Sequence, residues 1–220
     1  MPHLLSMDLF IFDLDGTLID SKLDLVHAVN ATRVHMGETP LADELISSYV
    51  GNGAPVLIQR VFPGATETQL AIALRYFLDY YRDHMLDYTV LYPGVRETLE
   101  KLDNGKRRLA VLTNKPVRIS GAILDGLGVG KHFFRVYGGN SFEQKKPHPI
   151  GIETLLRETG VRKECTVMVG DSAVDIQTAR NAGISCCGVT YGFQPESLDE
   201  NPPDFVIERM DQIFTALQLS

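Results

Sequence analysis

Cysteine is scarce: Cys165, Cys186 and Cys187 are the only three among 220 residues. The number is odd, two of them are adjacent, and no C-x-x-C spacing occurs, which argues against a disulfide framework and against a thiol redox or metal site. Cys186-Cys187 lies in an apolar segment and reads as core packing, so a reduced, cytoplasmic protein is the expectation. Basic charge is also short. With 21 Lys and Arg against 28 Asp and Glu the net charge is -7, whereas nucleic-acid binding needs a basic face. A small anionic substrate remains compatible, provided local cations hold it. No apolar run approaches the ~20 residues of a membrane span. The first eight residues, Met1 to Asp8, have neither the basic nor the long apolar segment of a signal peptide. Repeats and low-complexity tracts are missing too. The remainder is ordinary: 44% hydrophobic and 22% charged residues suffice for a sizeable core, either one large domain or a core with a smaller insertion. A monomer and a homodimer both stay open.

The hydrophobic rhythm changes along the chain. Leu9-Phe10-Ile11-Phe12 is a short apolar run that predicts a buried strand ending at Asp13. Residues 21–87 read as helices: Ser21 to Met36 opens on a good N-cap and stops at Gly37 and Pro40, and residues 67–87 carry apolar side chains at three- and four-residue steps. Gly51-Asn52-Gly53 and Pro63-Gly64 punctuate this block. Beyond Tyr92-Pro93-Gly94, helices near 95–102, 114–127, 150–159 and 172–182 alternate with apolar runs at 109–112, 133–137, 166–169 and 185–189. Phe205-Val206-Ile207 reads as a last strand before a C-terminal helix. Such alternation predicts an α/β fold, a Rossmann-like parallel sheet with helices on both faces. The expected division is a core of residues 1–20 and 88–220 with an inserted α-helical cap of residues 21–87.

Chemistry-bearing residues recur just after the predicted strands. Asp13 and Asp15 are two apart, so an extended backbone would point them to one side, and Gly16 permits a sharp turn after them. Gly170-Asp171-Ser172-Ala173-Val174-Asp175 follows another apolar run and opens a helix, where Asp171 and Asp175 could share one face near the positive end of the dipole. Thr113-Asn114-Lys115-Pro116 ends a third run, where a hydroxyl, an amide and a helix N-terminus could cradle a phosphate oxygen. Lys145-Lys146-Pro147 puts a lysine in a segment that the proline holds extended. Each motif alone also fits a polar turn, a helix cap or a solvated loop. In a parallel sheet, however, strand C-termini share one edge, so these groups could converge in one cleft. Each like pair of carboxylates at ~4 Å costs on the order of 4 kcal/mol at an effective dielectric of 20. A hard divalent cation such as Mg²⁺, which binds carboxylate and phosphate oxygens, relieves that cost. No histidine or cysteine cluster favours Zn²⁺.

In the order and spacing of these motifs the sequence resembles the haloacid dehalogenase superfamily of phosphatases. Asp13-Leu14-Asp15-Gly16-Thr17 matches the first family motif, Thr113 the second, Lys146 the third, and Gly170-Asp171-Ser172-x-x-Asp175 the fourth. The resemblance spans essentially the whole chain, including a helical cap after the first motif. Thr113-Asn114-Lys115-Pro116, Gly138-Gly139 followed by Lys146-Pro147-His148-Pro149, and the stretch from Asp171 to Gly183 are similar to phosphoglycolate phosphatases in particular. The resemblance implies a Mg²⁺-dependent phosphoric monoester hydrolase acting on a small phosphorylated metabolite, 2-phosphoglycolate foremost. It implies Asp13 as nucleophile, Asp15 as general acid and base, and Thr113 and Lys146 on the phosphoryl oxygens. Gly16, Thr17 and Asn114 would join them in binding substrate. The metal set it implies is Asp13, the Asp15 backbone carbonyl, Asp171 and, through water or an outer bond, Asp175. A phosphosugar mutase and a non-catalytic regulatory protein on the same scaffold are the alternatives. A dehalogenase would leave Asp15, Asp171 and Asp175 without a purpose.

Gly51-Asn52-Gly53 fits a cap loop that dips toward the site, since glycine allows close backbone approach; an ordinary inter-helix turn fits equally. Lys22, Arg33 and Arg60 could meet a substrate carboxylate, and each equally fits a solvated helix face.

Overall fold

Residues 7–219 are described by the computed structural model, so the expectation of no leader falls partly on residues 1–6, outside the described residues. Leu9–Phe12 forms strand β1, wholly buried, as a parallel strand covered on both faces should be. A tight turn leads to Ile19–Asp20 (β2). Four helices follow: Lys22–His35 (α1), Asp43–Ser48 (α2), Ala54–Val61 (α3) and Glu67–His84 (α4). Val90–Leu91 (β3) pairs antiparallel with β2. The alternating part then runs Val95–Asn104 (α5), Arg108–Leu112 (β4), Val117–Gly126 (α6), Arg135–Tyr137 (β5), Ile150–Thr159 (α7), Thr166–Gly170 (β6), Ala173–Ala182 (α8) and Ser185–Val189 (β7). Ser197–Glu200 (α9), Phe205–Ile207 (β8) and Ile213–Ala216 (α10) finish it.

The main sheet is parallel throughout, in the order β5-β4-β1-β6-β7-β8. Side chains alternate across it with period two. Phe10 and Phe12 face one buried cluster with Leu99 of α5 and Ile123 of α6. Leu9 and Ile11 face another with Ile152 of α7 and Ile176 of α8. The continuous apolar run of β1 thus reflects two cores on opposite faces. Cys186 and Cys187 divide between the same two clusters, as packing residues.

The four inserted helices pack on one another, α1 against α2 and α4, and α3 against α4. They attach to the sheet domain through two strands, β2 leading in and β3 leading out. That ribbon, only two residues per strand, is too short to leave a periodic signal. Asp24 of α1 holds the exit: its buried carboxylate accepts from the Tyr88 and Thr89 amides at 3.1 and 2.8 Å and from Thr89 Oγ1 at 2.7 Å. Those bonds draw the chain out of helical geometry, and α4 ends at His84 instead of reaching residue 87.

Arg33 is another departure from expectation. It is buried inside the helical block, donating to the carbonyls of Thr39 and Val61, and is not a solvated helix face. No helix among the described residues is long and apolar enough to cross a membrane.

Candidate active site

Three neighbouring strands deliver three functional groups side by side. Asp13 follows β1 and extends its ladder, its amide donating to the Val169 carbonyl of β6 at 2.9 Å. Thr113 follows β4, with its amide bonded to the Tyr137 carbonyl at 3.0 Å. Asp171 follows β6. Because β4, β1 and β6 are adjacent and parallel, the shared carboxyl edge places Thr113, Asp13 and Asp171 in a row, as ligand sites in open α/β sheets require. Lys146 arrives from the long connection between β5 and α7, just before a cis peptide to Pro147.

The centre is a buried charge cluster. Lys146 Nζ lies 2.8 Å from Asp13 Oδ1 and donates to Asp175 Oδ1 at 2.6 Å. The first contact has the distance of an ion pair without hydrogen-bond alignment, so Asp13 Oδ1 is charge-compensated yet has no donor. Asp175 Oδ2 accepts from the Ser172 amide at 3.2 Å and the Ser172 hydroxyl at 2.7 Å, which caps α8. Both Asp175 oxygens are therefore engaged. Asp171 does not share a helical face with Asp175: it precedes the cap residue, while Asp175 lies in the first turn. Oxygens of Asp13, Asp171 and Asp175 nevertheless lie within 4.8 Å of one another.

That arrangement shifts the titration of its members. Burial raises the Asp13 pKa to about 6, with Asp175 and Asp15 adding to the rise and Lys146 opposing it. Asp171 is pushed well up, first by burial and then by Asp175 and Asp13. Burial disfavours the Lys146 ammonium, but the carboxylates of Asp13 and Asp175 outweigh it and hold its pKa above the usual lysine value. Two carboxyl groups with raised pKa and one undonated buried oxygen describe a site short of positive charge. The donor set is all oxygen and suits a hard divalent ion.

The Asp15-Gly16-Thr17 turn wraps around Asp171. Gly16 has φ of 79°, and a Cβ there would come within 2.2 Å of Asp171 Oδ2, so glycine is required by both backbone and space. Thr17 is fully buried and donates to Asp171 Oδ1 at 3.3 Å. The structure thus directs Gly16 and Thr17 to the placement of Asp171, and neither lines the central cavity.

Asp15 turns the other way. Its carboxylate accepts from Ser21 Oγ at 2.5 Å and from Lys115 Nζ at 2.7 and 3.0 Å. Ser21 therefore spends its hydroxyl on Asp15 and makes no side-chain cap to α1. Lys115 is the functional neighbour that sequence reasoning passed over. Its buried ammonium also donates to Tyr81 Oη at 2.7 Å, a bond from the sheet domain to α4. A signal existed: Thr113 and Lys115 repeat, on the adjacent strand end, the two-residue spacing of Asp13 and Asp15.

The loop at residues 49–53 lies against this edge. Asn114 Nδ2 donates to the Gly51 carbonyl at 3.0 Å and to the Lys146 carbonyl at 3.2 Å. Lys145 Nζ donates to the Asn52 carbonyl at 2.5 Å, and Gln194 Nε2 to the Val50 carbonyl at 2.7 Å. At Gly53 (φ 86°) a Cβ would sit 3.0 Å from the Asn114 carbonyl oxygen, so the dipping loop needs glycine there. Between the loop, α4 and the sheet edge lies a cavity of about 50 Å³, walled by Leu57, Phe77 and Ile119 and floored by Asp13, Asp15 and Thr113.

Comparison with known proteins agrees with this geometry. Residues 10–189 match the model of the haloacid dehalogenase-like hydrolases. A protein of Pseudomonas putida named phosphoglycolate phosphatase is 39% identical over 91% of this chain and 76% of its own length. One of the same name from Vibrio parahaemolyticus is 36% identical over 96% of both. The crystal structure of a "predicted phosphoglycolate phosphatase" from Haemophilus somnus 129pt superposes with a TM-score of 0.91 at 33% identity, covering 95% of this chain and 97% of that one. The chain belongs to the haloacid dehalogenase-like hydrolase family.

Proposed function

We propose that the protein is a Mg²⁺-dependent phosphatase that hydrolyses a small phosphorylated metabolite, 2-phosphoglycolate foremost, through an aspartyl-phosphate on Asp13. One observation carries the reading. Asp13 is a buried carboxylate at the sheet edge, compensated by Lys146, with no aligned hydrogen-bond donor on Oδ1, and it lines the cavity beneath the helical block. A carboxylate kept for structure alone would be saturated with hydrogen bonds.

In the first half-reaction an Asp13 oxygen attacks phosphorus, the O–P bond forms, and the ester P–O bond breaks. The leaving oxygen takes its proton from Asp15. In the second half Asp15 takes a proton from water, the water oxygen attacks phosphorus, and the Asp13 carboxylate is released with inorganic phosphate. Splitting one displacement into two is the gain of a covalent route. The Lys146 ammonium lies 2.8 Å from Asp13 and Thr113 lines the same cavity; both would meet the phosphoryl oxygens over which charge spreads in the transition state. Asp175 fixes the direction of Lys146. Asp13, Asp171 and the Asp15 carbonyl would hold the cation, with Asp175 supporting from an outer bond. When bound, Mg²⁺ supplies positive charge to the carboxylates and to the substrate phosphate.

The helical block of residues 21–87 acts as a cap over the cavity, excluding water and limiting the leaving group. The names of the relatives support phosphoglycolate. Three buried, unpaired cysteines support a reducing compartment such as the cytoplasm.

The test is a phosphate-release screen over small phosphorylated acids, sugars and nucleotides with Mg²⁺, repeated after exhaustive chelation. Release from small phosphorylated acids that disappears on chelation is expected. Turnover that survives chelation, or a screen without any hydrolysis, would overturn the reading.

A further inference from the structure

The cavity has one cation. Of the described side chains that line it, only Lys115 is basic. The other cations of the site are elsewhere: Lys146 lies beneath, between Asp13 and Asp175. Lys145 reaches the Asn52 carbonyl on the loop, and Arg60 donates to the Tyr49 carbonyl. Of the cap side chains that line the cavity, Leu25, Leu57, Phe77 and Leu78 are apolar, and the Tyr81 hydroxyl is engaged with Lys115.

Lys115 is also committed in an unusual way. Its three N–H donors go to the two Asp15 oxygens and to Tyr81 Oη. Two donors therefore rest on one carboxylate, and by the proposed mechanism Asp15 must face the leaving oxygen. Asn114 lines the same cavity, and its Nδ2 is fixed by two carbonyls. The polar side of the cavity thus offers a redundant cation contact.

We propose that Lys115 is a specificity-determining residue that recognises a carboxylate on the alcohol side of the phosphate ester, giving up one Asp15 oxygen to do so. This rests on the phosphatase reading and adds to it the group that selects the substrate. A carboxylate entering beside Asp15 would meet repulsion with Lys115 absent. With Lys115 present it finds a buried ammonium that Tyr81 holds from the cap side. The same exchange leaves Asp15 with Ser21 and a single Lys115 bond, freer to turn to the leaving oxygen. A neutral alcohol lacks the charge to drive that exchange.

The experiment compares kcat and KM for 2-phosphoglycolate and ethyl phosphate, the same ester linkage without the carboxylate, at saturating Mg²⁺. Wild type is expected to favour 2-phosphoglycolate by about 10²-fold or more in kcat/KM. Lys115→Met is expected to slow both substrates, since Asp15 loses its partner, but to collapse the ratio by about 10²-fold, mainly through KM for 2-phosphoglycolate. Lys115→Arg, which keeps the charge, is expected to retain part of the ratio. A wild type that hydrolyses the two esters equally overturns the inference without any variant, so misfolding of Lys115→Met cannot shelter it. An unchanged ratio in a folded Lys115→Met overturns it too and leaves Lys115 as a positioning residue for Asp15. If wild type hydrolyses 4-nitrophenyl phosphate but shows no carboxylate preference, this inference alone fails. If it hydrolyses no ester, the phosphatase reading fails and takes the inference with it.

Discussion

The two walls of the cavity are built by opposite rules. The sheet edge is dense with charge: Asp13, Lys146, Asp175 and Asp171 are all buried and arranged against one another. The cap wall is apolar, with Tyr81 as its polar contact to the sheet edge through Lys115. A charged cluster tolerates little change, because removing one member leaves its partner buried and unpaired. An apolar wall tolerates volume-conserving exchange. On the proposed reading, chemistry belongs to the sheet edge and selection to the contact between the walls, and the difference can be broken at either side.

The largest effect is expected from Asp13→Asn. Turnover should fall by roughly 10⁴-fold or more, as when a nucleophile is removed, while the fold survives. The sign of the stability change is part of the prediction. The folded pKa of Asp13, about 6, lies above its ordinary value of 3.8. Its contribution to stability is thus fully present below 3.8 and lost as pH rises through about 6. At neutral pH the metal-free variant should melt no lower than wild type, and a fall of several degrees would contradict the burial account.

Lys146→Met comes next. It leaves Asp13 and Asp175 without their shared cation, and breaking such a buried pair costs about 3–5 kcal/mol. Denaturant titration at neutral pH should read that loss, together with a large drop in kcat. A variant of wild-type stability would show that the cluster is compensated by something other than Lys146.

Metal linkage is a smaller effect with a definite pH signature. Below about pH 6 a cation must displace the proton from Asp13. Mg²⁺ affinity should therefore weaken by up to about tenfold per pH unit for each proton displaced. Melting temperatures with and without Mg²⁺, followed from about pH 5 to about pH 8, should diverge as pH rises. A Mg²⁺ effect independent of pH would place the ion away from Asp13.

The smallest expected effect lies in the loop clasp. Lys145→Ala or Gln194→Ala removes a bond to the 49–53 loop, each about 0.5–1.5 kcal/mol. A rise in KM of roughly two- to tenfold, with melting temperature unchanged, would mark the loop as part of substrate retention. An effect on kcat alone would shift its role to the chemistry.

The asymmetry between the walls also explains what was legible in the sequence. The sheet strands were legible because a buried parallel strand is a continuous apolar run and because carboxylates immediately after one are costly enough to demand a reason. Asp13 and Asp171 announce themselves in this way. The ribbon of β2 and β3 was not, since two residues carry no period. Asp171 and Asp175 looked like one helical face because spacing alone does not reveal that Ser172 ends the extended segment and caps α8. Gly16 and Thr17 also shape the approach to Asp171, which their place in the first motif did not reveal. Lys115 was hidden within a matched motif, and its partner Tyr81 lies in a helix whose apolar stripe gives no hint that one hydroxyl points to the sheet edge. A contact between two elements 34 residues apart is a property of how they dock.

The most direct test of the account is a covalent one. Enzyme mixed with excess 2-phosphoglycolate and Mg²⁺, quenched in acid within the first turnover and digested, should yield one peptide heavier by a single phosphoryl group, modified at Asp13. Asp15→Asn should form this species from 2-phosphoglycolate much more slowly, because the leaving oxygen has lost its acid, and Asp13→Asn should yield none. A label on any other residue, or phosphate release in Asp13→Asn at the wild-type rate, would contradict Asp13 as the nucleophile.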